Sequence, residues 1–144
     1  MVRSINGSKF VLDTCAIINI MENKSVADLI KCHIDCENCR VYINSVSLDE
    51  ASRKGYNKKQ VTSKISEYLD TLVIVKEVTQ ENHIEAQRLE DQCSLIHHGD
   101  SAIAAFSVEN NSTLVTYDKG LLKGCHIVGI PTFNPNMVFG GVAA

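Results

Sequence analysis

The chain has 144 residues, 44% of them apolar, which suits one domain with enough apolar material for a core. A formal charge of −3 and a pI near 5.9 do not mark a basic nucleic-acid binder, but acids sequestered in a site would leave the remaining surface less negative, so charge neither supports nor excludes RNA. No apolar run approaches the ~18 residues of a membrane helix, and the opening MVRSINGSKFVLD lacks a signal-peptide h-region and cleavage site, so a cytoplasmic protein without a membrane span is expected.

Lys9 to Asp13 (KFVLD) reads as a short buried strand, followed at once by an apolar helical run from Ala16 to Met21. Val26, Leu29, Ile30 and Cys36 carry helical spacing through the next segment. Val41-Tyr42-Ile43 predicts a second strand and Ser47 to Lys54 a helix, which Gly55 ends. Val61, Ile65, Tyr68 and Leu69 place a helix over 59–69, and Leu72 to Val75 a third strand. Ile84, Ala86, Leu89 and Cys93 predict a helix over 81–93, with Thr79 as its cap. Asp100 opens a strongly apolar helix, SAIAAFSVEN. Thr113 to Thr116 is a fourth strand, a helical turn starts after Asp118, and His126 to Gly129 (HIVG) reads as a fifth strand. From Pro131 onward, Pro, Asn and Gly suggest a tail lying over the surface.

Strands alternate with helices throughout, and the strands are apolar runs without polar alternation. Both faces of the sheet should therefore be covered. That pattern predicts a parallel sheet in an α/β sandwich, one domain spanning residues 1–144. Ligands of such sheets collect at the carboxyl ends of strands, beside the point where strand order reverses.

Four carboxylates fall at that edge. Asp13 ends the first strand, Glu50 lies early in the helix after the second, Asp100 starts the helix leading into the fourth, and Asp118 follows the fourth. Converging oxygens of this kind suit magnesium or manganese. Each residue also has a plainer reading. Asp13, Asp100 and Asp118 stand before helices and fit as N-caps. Ser47-Leu48-Asp49-Glu50 matches the capping box S-x-x-E, in which Glu50 reaches back to Ser47. Caps alone do not explain why all four share one edge.

Val11-Leu12-Asp13-Thr14 followed by Ile17-Ile18 resembles the opening of PIN domains, and Val46-Ser47-Leu48-Asp49-Glu50 with Gly55 their second block. Asp100-Ser101-Ala102-Ile103-Ala104-Ala105, running on to Thr113-Leu114-Val115-Thr116-Tyr117-Asp118, is similar to the Asp-x-x-Ile-Ala-Ala and Thr-x-Asp blocks of VapC-type toxins. The resemblance runs from Phe10 to Pro131. It implies a three-layer α/β/α sandwich with a five-stranded parallel sheet, bound Mg²⁺ or Mn²⁺, and cleavage of single-stranded or loop RNA. It also implies a small antitoxin partner and a homodimer. Tyr117 departs from the Asn that many members have there.

On this reading Asp13, Asp100 and Asp118 hold one or two divalent ions and Glu50 completes the cluster. An inline attack then leaves 3′-hydroxyl and 5′-phosphate ends. Asp49 and Glu50 are adjacent on a helix, so only one is expected to face the metal, and the family block favours Glu50. Clustered carboxylates should hold at least one proton above the ordinary range when no metal is bound. Thr14 and Thr116 are candidates to orient a carboxylate or a water, or else serve as a helix cap and a strand-end hydroxyl.

The segment Arg53-Lys54-Gly55-Tyr56-Asn57-Lys58-Lys59, with Lys64 nearby, is the densest basic patch. Arg53, Lys54, Lys58 and Lys59 are candidates to grip phosphates and Tyr56 to stack on a base, against the plainer reading of a solvated helix–helix loop. Lys119 and Lys123 are weaker candidates of the same kind. Cys32-x-x-x-Cys36-x-x-Cys39 has an iron–sulfur-like spacing, but on a short helix it reads first as small apolar filling, then as a metal site, then as a redox disulfide. His97-His98 precedes Asp100 and reads as an exposed loop pair or a site contributor. A phosphohydrolase with Asp13 as nucleophile is disfavoured because Cys15 stands where a second Asp belongs. The remaining alternatives are a PIN-type RNA-processing nuclease without an antitoxin, and a non-catalytic RNA-binding module.

Overall fold

A computed structural model describes residues 9–33 and 39–136. Each described strand is a short apolar run, and helices fill the crossovers. The order is β1 (Lys9–Leu12), α1 (Thr14–Glu22), α2 (Lys24–His33), β2 (Arg40–Asn44), α3 (Ser45–Arg53), α4 (Lys58–Leu69), β3 (Leu72–Lys76), α5 (Gln80–Gln92), α6 (Asp100–Glu109), β4 (Thr113–Val115), α7 (Lys119–Val128) and β5 (Thr132–Phe133). The strands form one five-stranded sheet in the order β3-β2-β1-β4-β5, and every pairing is parallel.

The missing polar alternation follows from burial on both faces. Leu12, Val41, Ile43 and Val115 pack into a core with Ile17, Ile20, Ile30, Val61 and Ile65 from α1, α2 and α4. Their strand neighbours Val11, Tyr42 and Leu114 point the other way, into a second core with Leu89, Phe106, Leu121 and Cys125 from α5, α6 and α7. Successive strand residues thus feed opposite layers, as a pleat requires, and the result is a three-layer α/β/α sandwich. The central strands obey the expectation of covered faces. β3 does not: Leu72 and Val75 are exposed, because β3 is an edge strand.

The predicted fifth strand is corrected. His126–Gly129 is not a strand. His126 to Val128 forms the last turn of α7, whose buried side carries Leu121, Gly124 and Cys125. Gly129 closes that helix with a φ of +83°, a conformation glycine adopts without strain. Ile127 is β-branched and so read as strand, but it lies on the helix's outer face, 63% exposed. The fifth strand is Thr132–Phe133, inside the segment expected to lie over the surface. Two residues leave no periodic signal, and only pairing with Leu114 and Val115 makes them a strand. Among the described residues no helix is long and apolar enough to cross a membrane.

Candidate active site

The chain begins at the sheet's middle strand, β1, moves outward through β2 and β3, and then returns to place β4 on the other side of β1. The switch point therefore lies between the carboxyl ends of β1 and β4, where helices diverge and leave a crevice. Asp13 follows β1, and Thr116 and Asp118 follow β4. Glu50 comes from α3 and Asp100 is the first residue of α6. All four carboxylates line one open cleft of about 770 Å³, with Thr14, Cys15, Ile18, Arg53, Lys54 and Tyr117 completing its walls.

Local hydrogen bonds fix these side chains. Asp13 caps α1, its Oδ1 accepting from the Thr14 N–H at 2.8 Å. Its Oδ2 accepts from the Thr116 hydroxyl at 2.8 Å and from the Cys15 thiol at 3.6 Å. Thr116 is fully buried, and the same hydroxyl oxygen accepts from the Asp118 N–H at 3.2 Å. One hydroxyl thus ties the ends of β1 and β4 together. Asp118 caps α7 through the Leu121 N–H, at 3.0 Å. Thr14 donates to Glu50 Oε1 at 2.6 Å, joining α1 to α3. Asp100 makes no capping bond. Gly99 holds the N-cap position of α6 with a φ of +101°, which presents Asp100 at the helix start.

The electrostatics are those of crowded acids. Burial raises the Asp13 carboxyl above its ordinary range, with Glu50 adding to the rise, while the Thr116 hydroxyl and Thr14 N–H pull it back. Asp100 is raised first by burial, then by Asp118, Asp13 and Glu50, with His97 opposing. Burial also pushes the Tyr117 phenol up to about 12. Among the described residues, no three Asp, Glu, His or Cys side chains are drawn together into a ready-made ion cage.

The paired readings left open by the sequence separate here. Asp49 pairs with Lys58, and Glu50 is the member of the pair that lines the cleft. The S-x-x-E capping box does not form. Asn44 is the N-cap of α3 and accepts from the Ser47 N–H at 2.8 Å, so Glu50 is released to Thr14. Arg53 and Lys54 line the carboxylate cleft, whereas Lys58 and Lys59 line a separate depression with Val75. The Tyr56 hydroxyl donates to Glu22 and its ring packs on the core, which places it away from a stacking role. His98 lies 3.5 Å from Glu90 and largely in solvent.

The reading of the cysteine run as apolar filling is corrected at Cys32, which is exposed; Cys39 is buried in the core and disulfide-bonded, and Cys36 lies outside the described residues. Helical spacing brought Cys32 to a helix face, but α2 is amphipathic and that face is its outer one. Tyr117, which stands where many family members have Asn and was expected to alter the pocket, does line the cleft; the Cys15 thiol was not expected there, and its only signal was adjacency to Asp13.

A family model described as the PIN domain matches residues 10–126. None of the curated proteins matches the chain. Among solved structures, VapBC2 from Rickettsia felis bound to a promoter DNA fragment is similar at a TM-score of 0.65 and 20% identity, covering 88% of this chain and 98% of that one. VapBC-1 from nontypeable Haemophilus influenzae is similar at 0.65 and 16%, covering 89% and 98%. A toxin–antitoxin complex from Klebsiella pneumoniae is similar at 0.60 and 17%, covering 87% and 96%. At these identities the likeness establishes a shared fold.

Proposed function

The chain belongs to the PIN-domain family, and from that premise we propose that it is a metal-dependent endoribonuclease cleaving single-stranded or loop RNA, the toxin of a toxin–antitoxin pair. The observation that carries the reading is that carboxylates from four separate elements line one cleft at the sheet's switch point, beside Arg53 and Lys54. Helix capping does not account for Asp100, which caps nothing, or for Glu50, which stands in the second half of α3.

The donor set fits Mg²⁺ or Mn²⁺. It is all hard oxygen, and the neighbouring acids add to the raised proton affinity of Asp100 and Asp13, which a cation would reverse. Mg²⁺ keeps several waters and takes only one or two carboxylates directly, so a ready-made cage is not needed. Asp13, Asp100 and Asp118 would hold the ion, with Glu50 completing the set. Bound there, such an ion supplies an activated water and balances charge at the scissile phosphate. The chain's own part is positioning. Thr116 and the Thr14 N–H aim Asp13 and oppose the rise in its proton affinity, Thr14 fixes Glu50, and Arg53 and Lys54 draw the phosphates of the RNA to the cleft.

The neighbours whose titles name VapBC and a toxin–antitoxin complex support a small antitoxin as partner, and a homodimer belongs to the same reading. The experiment is cleavage of labelled single-stranded RNA with Mn²⁺ or EDTA, beside Asp100→Asn. Asp100 is the right position because substituting Asp13 or Asp118 would also remove a helix cap. Cutting that requires metal and falls at least a hundredfold in the variant supports the reading. Binding without cutting, or equal cutting by the variant, refutes it.

A further inference from the structure

A second cavity, of about 680 Å³, adjoins the carboxylate cleft, and nothing in the proposed chemistry uses it. Tyr117 lines both spaces and forms the wall between them. α1 is shared in the same way. Cys15 and Ile18 line the cleft, while Asn19, whose amide donates to the Cys15 carbonyl at 2.8 Å, lines the second cavity. The remaining wall mixes amide and hydroxyl groups with apolar ones: Asn23, Ser25, Val26 and Asn136 among them.

The charge of the two spaces differs. Arg53 and Lys54 stand in the cleft, whereas among the described residues the second cavity has no Lys or Arg in its lining and one acid, Asp28. Phosphate therefore has no place in it. A flat, uncharged, hydrogen-bonding ligand does, and the volume lies within the ~300–1,000 Å³ usual for small-molecule pockets. The Tyr117 hydroxyl is shut off from the cavity and finds no hydrogen-bond partner among the described residues, so the part of Tyr117 offered to a ligand is its ring.

We propose that this cavity is a nucleobase pocket: it receives one unpaired base of the RNA next to the scissile phosphate, against the Tyr117 ring, and sets the base preference of cleavage. Single-stranded RNA is read in this way, by bases turned out onto aromatic rings and hydrogen-bonded along their edges. The chain of the RNA would run from Arg53 and Lys54, past the carboxylates, to Asn19 and Asn136. The proposal rests on the nuclease reading above.

The test is cleavage of a random-sequence RNA pool, sequenced at the new ends, by the wild type, by Asn136→Ala with Asn19→Ala, and by Val26→Phe, which fills the cavity. Melting temperatures close to wild type show that the variants fold. The expected result is a wild-type preference of about tenfold or more for one base beside the cut, brought near unity by each variant. Wild-type cutting with no base preference, or variants that keep the preference, overturns the pocket and leaves the nuclease reading standing. Variants that lose binding of a protein partner while keeping the preference overturn it as well. A wild type that neither binds nor cuts RNA removes both.

Discussion

Thr116→Val is the sharpest perturbation of the site, because valine keeps the shape of threonine and removes only the hydroxyl. That hydroxyl donates to Asp13 Oδ2 and accepts from the Asp118 N–H, and the side chain is fully buried, so water cannot replace either bond. A hydrogen bond to a charged group contributes ~1.5–3 kcal/mol and a neutral one ~0.5–1.5 kcal/mol, so the variant should lose about 2–4 kcal/mol of stability at neutral pH. For a chain of 144 residues this corresponds to a melting temperature roughly 6–15 °C lower. Thr116→Ser should recover most of the loss. The hydroxyl lowers the proton affinity of Asp13 against the rise caused by burial. The difference between threonine and valine is therefore fully present while Asp13 is ionised, and shrinks as pH falls through its raised pKa. Urea unfolding of the three proteins in EDTA at neutral and acid pH measures this. A valine variant within 0.5 kcal/mol of wild type, or a loss that does not shrink in acid, would refute the reasoning.

Four further outcomes are expected. Burial and mutual repulsion raise Asp13 and Asp100, so their ionised forms are penalised in the folded protein; without metal, stability should rise as pH falls from above their raised pKa values toward the ordinary carboxylate value of 3.8. Mg²⁺ or Mn²⁺ at a hundred times its dissociation constant should add ~2.7 kcal/mol at neutral pH, abolished in Asp100→Asn and read by calorimetry. Arg53→Ala and Lys54→Ala should raise KM for RNA several-fold with little change in melting temperature, whereas Lys58→Ala and Lys59→Ala, which line a different depression, should change KM less. Gly124→Ala would put a Cβ 2.5 Å from the Ile96 Cγ1 atom, so it should destabilise by about 1–3 kcal/mol, and Ile96→Ala in the same chain should relieve part of the strain.

Much of this protein was legible in its sequence because the signals are local. Helical spacing of apolar residues, short runs of β-branched residues and glycine stops place α1, α3 to α6 and β1 to β4 within a residue or two of the observed ends; α2 was expected to reach Cys36, which lies outside the described residues. The covered faces of the sheet follow from strands without polar alternation. Asp13, Asp100 and Asp118 stood out because each sits at a strand end or a helix start, and a parallel sheet sends those points to one edge; Glu50, expected in the first turn of its helix, lies instead in the second half of α3, because that helix starts at Ser45, and it reaches the cleft from there.

Other features exist only once distant parts of the chain meet. β5 is a strand because Thr132 and Phe133 pair with Leu114 and Val115; alone, two residues carry no period. That Glu50 and not Asp49 lines the cleft depends on a lysine and a threonine from other elements, since neighbouring residues on one helix look alike in sequence. The basic patch divided because α3 ends at Arg53 and α4 starts at Lys58, so the two pairs of cations point into different spaces. The bond from Thr116 to Asp13 spans most of the chain, and the cavity behind Tyr117 is walled by α1, α2 and the segment after β5. The sequence determined which residues are acidic, apolar or able to turn. Burial, pairing and mutual charge are properties of neighbours, and only the folded chain decides who those neighbours are.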